Sequence, residues 1–326
     1  MISYGKAASG CIGGLFLLSA CSTLEIDRIR ASPDASSRQR AVIDHVPFFA
    51  QDEYQCGPAA LAMLLNWSGL SVTPGELTAL VYVPERKGSF QPEMLAAARA
   101  YDRIAYELAP GWNDLITEIE AGNPVLVLQN LGLAWLPKWH YAVVKGIDVA
   151  GNEIILHSGL QENKTSNLRT FERTWQRANK WAMVVTDANR IPASADPLRY
   201  LKTASYFEQP GRLHVALQAY QAAASKWPTQ LVVLMALGNV YYQLEQWEEA
   251  RMQYERVVAI DGGYAPARNN LAQVLLELGQ LDAAYSHAQI AVRLGGAHAT
   301  QFRETLEQIE RQRNKVTQKN PSVPGE

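Results

Sequence analysis

The sequence predicts an α+β domain followed by an all-α solenoid, and three observations predict it. Between residues 41 and 188, runs with helical spacing come first and strand-like runs follow. Near residue 190 the composition turns to Pro, Ser and Ala, as in Arg190-Ile191-Pro192-Ala193-Ser194-Ala195-Asp196-Pro197. Beyond it, apolar and small residues recur with a period of 34. A chain of 326 residues is long enough for two ordinary domains, and a net charge of −2 gives no sign of a nucleic-acid partner.

The elements follow in order. Ala41-Val42-Ile43 and Val46-Pro47-Phe48-Phe49 read as a short strand or extended lead-in. Pro58 suits a first helical turn, and Ala59, Ala60, Leu61, Met63, Leu64 and Leu65 continue a helix to about Ser68. Thr73 and Glu76 have capping-box spacing before a helix over 76–83. Gln91-Pro92-Glu93 opens a third helix to about Asp102, and 113–121 is a fourth, closed by Gly122. Strands are predicted at 124–129, 139–147, 153–157 and 181–185. Asp148 to Asn152 forms a hairpin turn, and Thr170 to Arg177 is helical.

The N-terminus has the layout of a targeting segment: Lys6, then the apolar run Ala7 to Leu18, then Leu18-Ser19-Ala20-Cys21. That ending resembles a bacterial lipobox. The resemblance implies a signal over 1–20, cleavage before Cys21 and a lipid on its sulfur. Ser22 in place of Asp implies the outer membrane, with the chain facing the periplasm. Residues 21–40 then read as a tether. The chain has three cysteines: Cys11 leaves with the signal and Cys21 carries lipid, so Cys56 is the one free thiol of an envelope protein. An oxidising compartment selects against idle thiols, and Cys56 has no disulfide partner. Placed before a helix start it faces unpaired amides and the positive dipole end, which predicts an alkylatable thiol of lowered pKa. The competing reading is a small buried hydrophobe.

In the second half, 236–242 aligns with 270–276, and Ala216, Ala250 and Ala284 share one phase. This is the tetratricopeptide (TPR) signature. Two clear repeats, a degenerate first one from about Leu198 and a polar capping helix from Thr300 to about Lys315 make a domain over 198–315. A linker over 189–197 precedes it and a disordered tail over 316–326 follows. Tyr241, Tyr242, Trp247 and Arg251 are candidate anchors for a protein partner, although Tyr241 and Trp247 equally suit repeat core.

A thiol nucleophile needs a base. His45, His140 and His157 are available, and His140, opening a strand 84 residues after Cys56, is the best placed. The segment Pro47-Phe48-Phe49-Ala50-Gln51-Asp52-Glu53-Tyr54-Gln55-Cys56-Gly57-Pro58-Ala59-Ala60-Leu61, with His140-Tyr141-Ala142-Val143-Val144-Lys145-Gly146-Ile147-Asp148, resembles the papain-superfamily peptidases of cysteine family 39. That family includes the bacteriocin-processing, double-glycine leader peptidase domains of ABC transporters. The resemblance spans about 41–188. It implies a papain-like fold, Cys56 as nucleophile, His140 as base and acid, and Gln51 as oxyanion donor, with Gln55 as the weaker substitute. The family's His-orienting Asp is missing: Ser158 stands in its place, and Asp148 or Asn152 reach His140 only if their turn folds back. No metal-ligand spacing, phosphate loop or cofactor motif occurs.

These residues predict an envelope-anchored thiol hydrolase that cleaves peptides, with TPRs recruiting a protein. Two alternatives stay open: a non-catalytic adaptor that binds peptides or proteins, and acyl transfer or amidase chemistry.

Overall fold

The computed structural model describes residues 24–33, 40–50, 55–86, 88–209 and 211–319. The first domain is built on a seven-stranded antiparallel sheet. Its strands are β1 (Ala41–Val42), β2 (Ile104–Glu107), β3 (Val125–Asn130), β4 (Trp139–Asp148), β5 (Glu153–Ser158), β6 (Gln161–Asn167) and β7 (Ala182–Thr186). They lie in the order β2-β7-β3-β4-β5-β6, with β1 added to the far end of β4. The run Val125-Leu126-Val127-Leu128 is apolar at every position because β3 is central and buried on both faces. Its register with β4 pairs Gln129 with His140 and Asn130 with Trp139, which brings the N-terminal end of β4 to one end of the sheet.

Helix α2 (Cys56–Trp67) is buried from Gly57 to Leu65. A helix apolar all round belongs in a core, and α2 packs against β3, β4 and β7. It starts at Cys56, two residues before the expected Pro58. Gly57 is required there, since a Cβ would sit 2.3 Å from Ser89 Oγ. The Thr73–Glu76 capping box forms and opens α3 (Pro74–Val81). Helices α4 (Gln91–Ala100), α5 (Trp112–Glu120) and α6 (Leu168–Gln176) complete the layers; Trp112 of α5 packs on Phe171 and Trp175 of α6.

Part of the expected tether is built into the domain. Glu25–Ala31 forms helix α1, with Ile26 fully buried. The buried Glu172 of α6 accepts from the backbone N–H groups of Glu25 and Ile26, each at 3.0 Å, and from Lys180 Nζ at 2.9 Å. Glu25 in turn accepts from Lys180 at 2.6 Å. A short segment with two isoleucines has no periodic signal of its own. It is helical because a carboxylate 147 residues away satisfies its first amides.

The segment expected as a linker, 189–197, is likewise fixed. Buried Glu118 accepts from Ser194 N–H at 2.7 Å and from its hydroxyl at 2.5 Å, and Arg190 donates to Asn123 at 2.7 Å. Helix α7 (Pro197–Ser205) then begins on an Asp196 N-cap. Tyr200 donates to Ala188 O at 3.2 Å, and the Arg99 guanidinium lies 4.3 Å over the Tyr206 ring. A single hydrophobic cluster runs through both halves.

The repeats follow as α8 (Leu213–Lys226), α9 (Leu231–Gln243), α10 (Trp247–Ile260), α11 (Ala265–Glu277), α12 (Leu281–Leu294) and α13 (Ala299–Lys319). Ala216, Ala250 and Ala284 are each fully buried at successive helix crossings. At Gly238 a Cβ would come 2.6 Å from the Tyr254 ring, so the small residue sets the approach of α9 and α10. The capping helix continues to Lys319, so the expected tail begins inside it; residues 320–326 lie outside the described residues.

Candidate active site

Two elements build the site. Helix α2 presents Cys56 as its first residue, and β4 presents His140 as its second. Cys56 is half-buried, and the amides of Tyr141 and Gly57 face its sulfur. Burial raises the Tyr141 phenol, Cys56 and Glu93 raise it further, and it donates to Ser89 O at 3.2 Å. The thiol therefore sits against the strand residue that adjoins His140.

His140 Nε2 lies 2.9 Å from Ser158 Oγ, a diagonal contact from the start of β4 to the end of β5. The expected place of the orienting group is thus occupied by the expected hydroxyl. Asp148 and Asn152 do not reach it. They lie at the opposite end of the β4–β5 hairpin, eight residues along β4 and about 26 Å away at strand rise. Asp148 there accepts from Gly151 N–H. Gln55 is turned to α3, where it accepts from Thr78 at 3.1 Å. Gln51 and Cys21 lie outside the described residues. His157 is a core residue: it donates to Val46 O, accepts from Asn163 N–H and stacks on Phe48.

Residues 43–183 match the Peptidase_C39 like family, and residues 238–279 match a TPR repeat. The chain carries a C39-like domain and TPR repeats. A C39-like peptidase from Bacillus anthracis is similar at 16% identity and a TM-score of 0.39, covering 45% of this chain and 96% of that one. The Yersinia enterocolitica type III secretion translocator chaperone SycD is similar at 20% identity and a TM-score of 0.34, covering 36% and 84%. The TPR2B domain of yeast Sti1, in complex with pHsp70, is similar at 13% identity and a TM-score of 0.32, covering 33% and 91%. No curated protein matches this chain.

The electrostatics of the C39-like site depart from expectation. Burial pushes the Cys56 thiol up, and the Tyr141 and Gly57 amides only partly offset it. The expected lowered pKa from the helix start is outweighed because the thiol is desolvated. Burial, then Lys164 and Lys138, pushes His140 down to about 4. At neutral pH the imidazole is uncharged. A serine hydroxyl orients a neutral ring but does not offset the charge of an imidazolium, and two lysines oppose that charge further. The lysines were not legible as site residues. Lys164 lies on β6, whose exposed sequence QENKTSN has no alternation to mark it as a strand.

Among the described residues no group of three His, Cys, Asp or Glu side chains gathers as a metal site. In the C-terminal half, Tyr242 packs on Trp247 at 4.9 Å and Tyr241 accepts from Gln221. Arg251 is held by Glu248 and Glu255 of its own helix, so its charge is already matched.

Proposed function

We propose that this chain is a thiol hydrolase of peptide bonds, with Cys56 as nucleophile, His140 as base and acid, and Ser158 orienting His140. The His140–Ser158 contact carries the reading: it occupies Nε2 and leaves Nδ1 for the thiol. With Nε2–H donating to Ser158 Oγ, Nδ1 takes the Cys56 proton as sulfur attacks the carbonyl carbon. The imidazolium returns that proton to the leaving amine. Water then cleaves the thioester, with His140 again as base. Gln51 donates to the oxyanion, a role typically worth roughly 3 kcal/mol. Since thiol and imidazole both rest neutral, the thiolate forms only during attack, and turnover is slow at neutral pH. The TPR half binds a protein partner, and Cys21 carries a lipid that holds the chain in the bacterial envelope, on the outer membrane facing the periplasm.

A vinyl-sulfone or iodoacetamide probe tests this on the full chain. Labelling is expected to vanish in Cys56→Ala and to slow in His140→Ala. Equal labelling rates for wild type and His140→Ala overturn the proposal. The second reading, a peptide-binding adaptor without turnover, is favoured by the missing carboxylate and the two lysines beside His140. A peptide bound tightly and recovered intact selects it.

A further inference from the structure

The β3–β4 connection is an ordered prong with an apolar tip. Buried Asn130 holds its base, accepting from Gly132 N–H and Lys138 N–H at 2.9 Å each, and Leu131 N–H donates to Lys138 O. Leu133 and Leu136 exchange backbone bonds across the tip. Gly132 lies 2.4 Å, from where its Cβ would be, to Leu136 O, so only glycine closes this turn. The turn is thus closed by its own backbone bonds while its large side chains stand in solvent: Trp135 is 78% exposed, Leu136 62%, Trp139 54% and Leu133 53%. Leu160, in the neighbouring β5–β6 turn, is 74% exposed. A soluble surface rarely gathers such residues at one end of a sheet.

We infer that this prong inserts into the interface of a lipid bilayer and sets the Cys56–His140 site at the membrane surface. Three features favour a bilayer over a peptide. The four side chains are each more than half exposed, whereas peptide side chains need concave pockets. The tip is a turn and not a strand edge: Leu133 and Leu136 bond each other across it and Pro137 has no N–H to offer an added strand. Trp and Leu flanked by Lys138 and Lys164 form the usual composition of interfacial anchors, with lysines reaching anionic headgroups.

The chain path adds a fourth argument. Lys180 holds Glu25 at the start of α1, and the same short segment contacts the prong base, with Arg177 donating to Asn130 O and Leu128 N–H to Trp181 O. Leu24 thus lies toward the prong end of the sheet. A lipid on Cys21, three residues earlier, would keep the bilayer within about 10 Å of it. The prong does not depend on that anchor. No helix among the described residues is long and apolar enough to cross a membrane.

The test uses the full chain with phosphatidylethanolamine–phosphatidylglycerol vesicles carrying brominated acyl chains, which quench tryptophan inside the bilayer. The chain has eight tryptophans, so Trp135→Phe isolates the signal of the tip. Quenching is expected in wild type, to fall in Trp135→Phe, and to be lost for Trp135 in the Leu133→Glu/Leu136→Glu variant. That variant alters only exposed side chains, and an unchanged circular dichroism spectrum and melting curve establish its fold. Equal quenching of wild type and Trp135→Phe overturns the inference while leaving the thiol chemistry standing. So does vesicle binding with no Trp135 quenching, which is anchoring by the lipid alone. A Trp135 emission that shifts only on addition of an apolar peptide makes the prong a peptide site and also overturns it.

Discussion

The seams that dock distant segments and the candidate active site differ in how they treat a buried carboxylate. At the seams, where α1 and the 189–197 segment dock, a buried glutamate sits at the centre: Glu172 takes two amides and Lys180, and Glu118 takes the Ser194 amide and hydroxyl. At the candidate active site the corresponding position holds Ser158, and the nearby charges on His140 are two lysines. The fold therefore accommodates buried carboxylates where they join distant segments, and omits one where a hydrolase would use it. Burial of an acid is tolerated when donors surround it. At His140 burial comes first, Lys164 and Lys138 add to it, and the imidazole is held neutral.

The largest effect is expected at the α1 seam. Glu172→Ala leaves the Glu25 and Ile26 amides without their acceptor and Lys180 with Glu25 alone, and each orphaned amide costs about 1–3 kcal/mol. The melting temperature should fall, and protease should then cut within residues 24–33. An unchanged melting curve would show that the docking of α1 adds nothing to the domain.

Next in size is Ser158→Asp, which makes the site resemble the seams. A carboxylate on Nε2 stabilises the imidazolium, and probe labelling of Cys56 at pH 7 should rise on the order of 100-fold. In wild type the labelling rate should climb only above the ordinary cysteine range near pH 8.5, because burial raises the thiol pKa. In Ser158→Asp the climb should move to lower pH. A wild-type thiol already reactive at pH 6 breaks the comparison.

Glu118→Ala should cost about 1–3 kcal/mol, the desolvation penalty of the orphaned Ser194 amide, read by chemical denaturation. The smallest effect is in acid. Burial alone would push the Glu172 carboxyl up, but the Ile26 amide and Lys180 outweigh it and hold it below the usual carboxylate range. Its folded pKa lies below its unfolded one. Its contribution is whole above the unfolded value near 4.3 and is lost as pH falls through the folded value. Denaturation midpoints measured from pH 6 to pH 3 should show this loss in wild type, and a smaller one in Glu172→Gln.

Much of the fold was legible because its signals are local. The all-apolar α2, the Thr73–Glu76 box, the buried run of β3 and the 34-residue period each lie within one element or one repeat. The pairing of His140 with Ser158 was legible through the family resemblance, which aligned residues 18 apart. Strands β2 and β6 were not. Ile104-Ala105-Tyr106-Glu107 is too short to show a period, and β6 is exposed at almost every residue. Asp148 and Asn152 could reach His140 only if their turn folded back, and the length of the β4–β5 hairpin keeps them away.

By itself, the sequence determined an antiparallel α+β domain, a free thiol at a helix start, a histidine at a strand start, a hydroxyl in place of the usual acid, and a helical repeat. The hydroxyl follows from the family resemblance; the others follow from residue type and spacing, which act over one or two turns. The tertiary structure decided that 25–31 is a docked helix, that 189–197 is pinned by Glu118, and that the thiol is raised and the imidazole lowered. Each of these depends on desolvation and on charges brought from elsewhere in the chain: Glu172 to α1, Ser194 to Glu118, Lys164 to His140. Burial and Coulomb interaction act through space, and no window of sequence contains them.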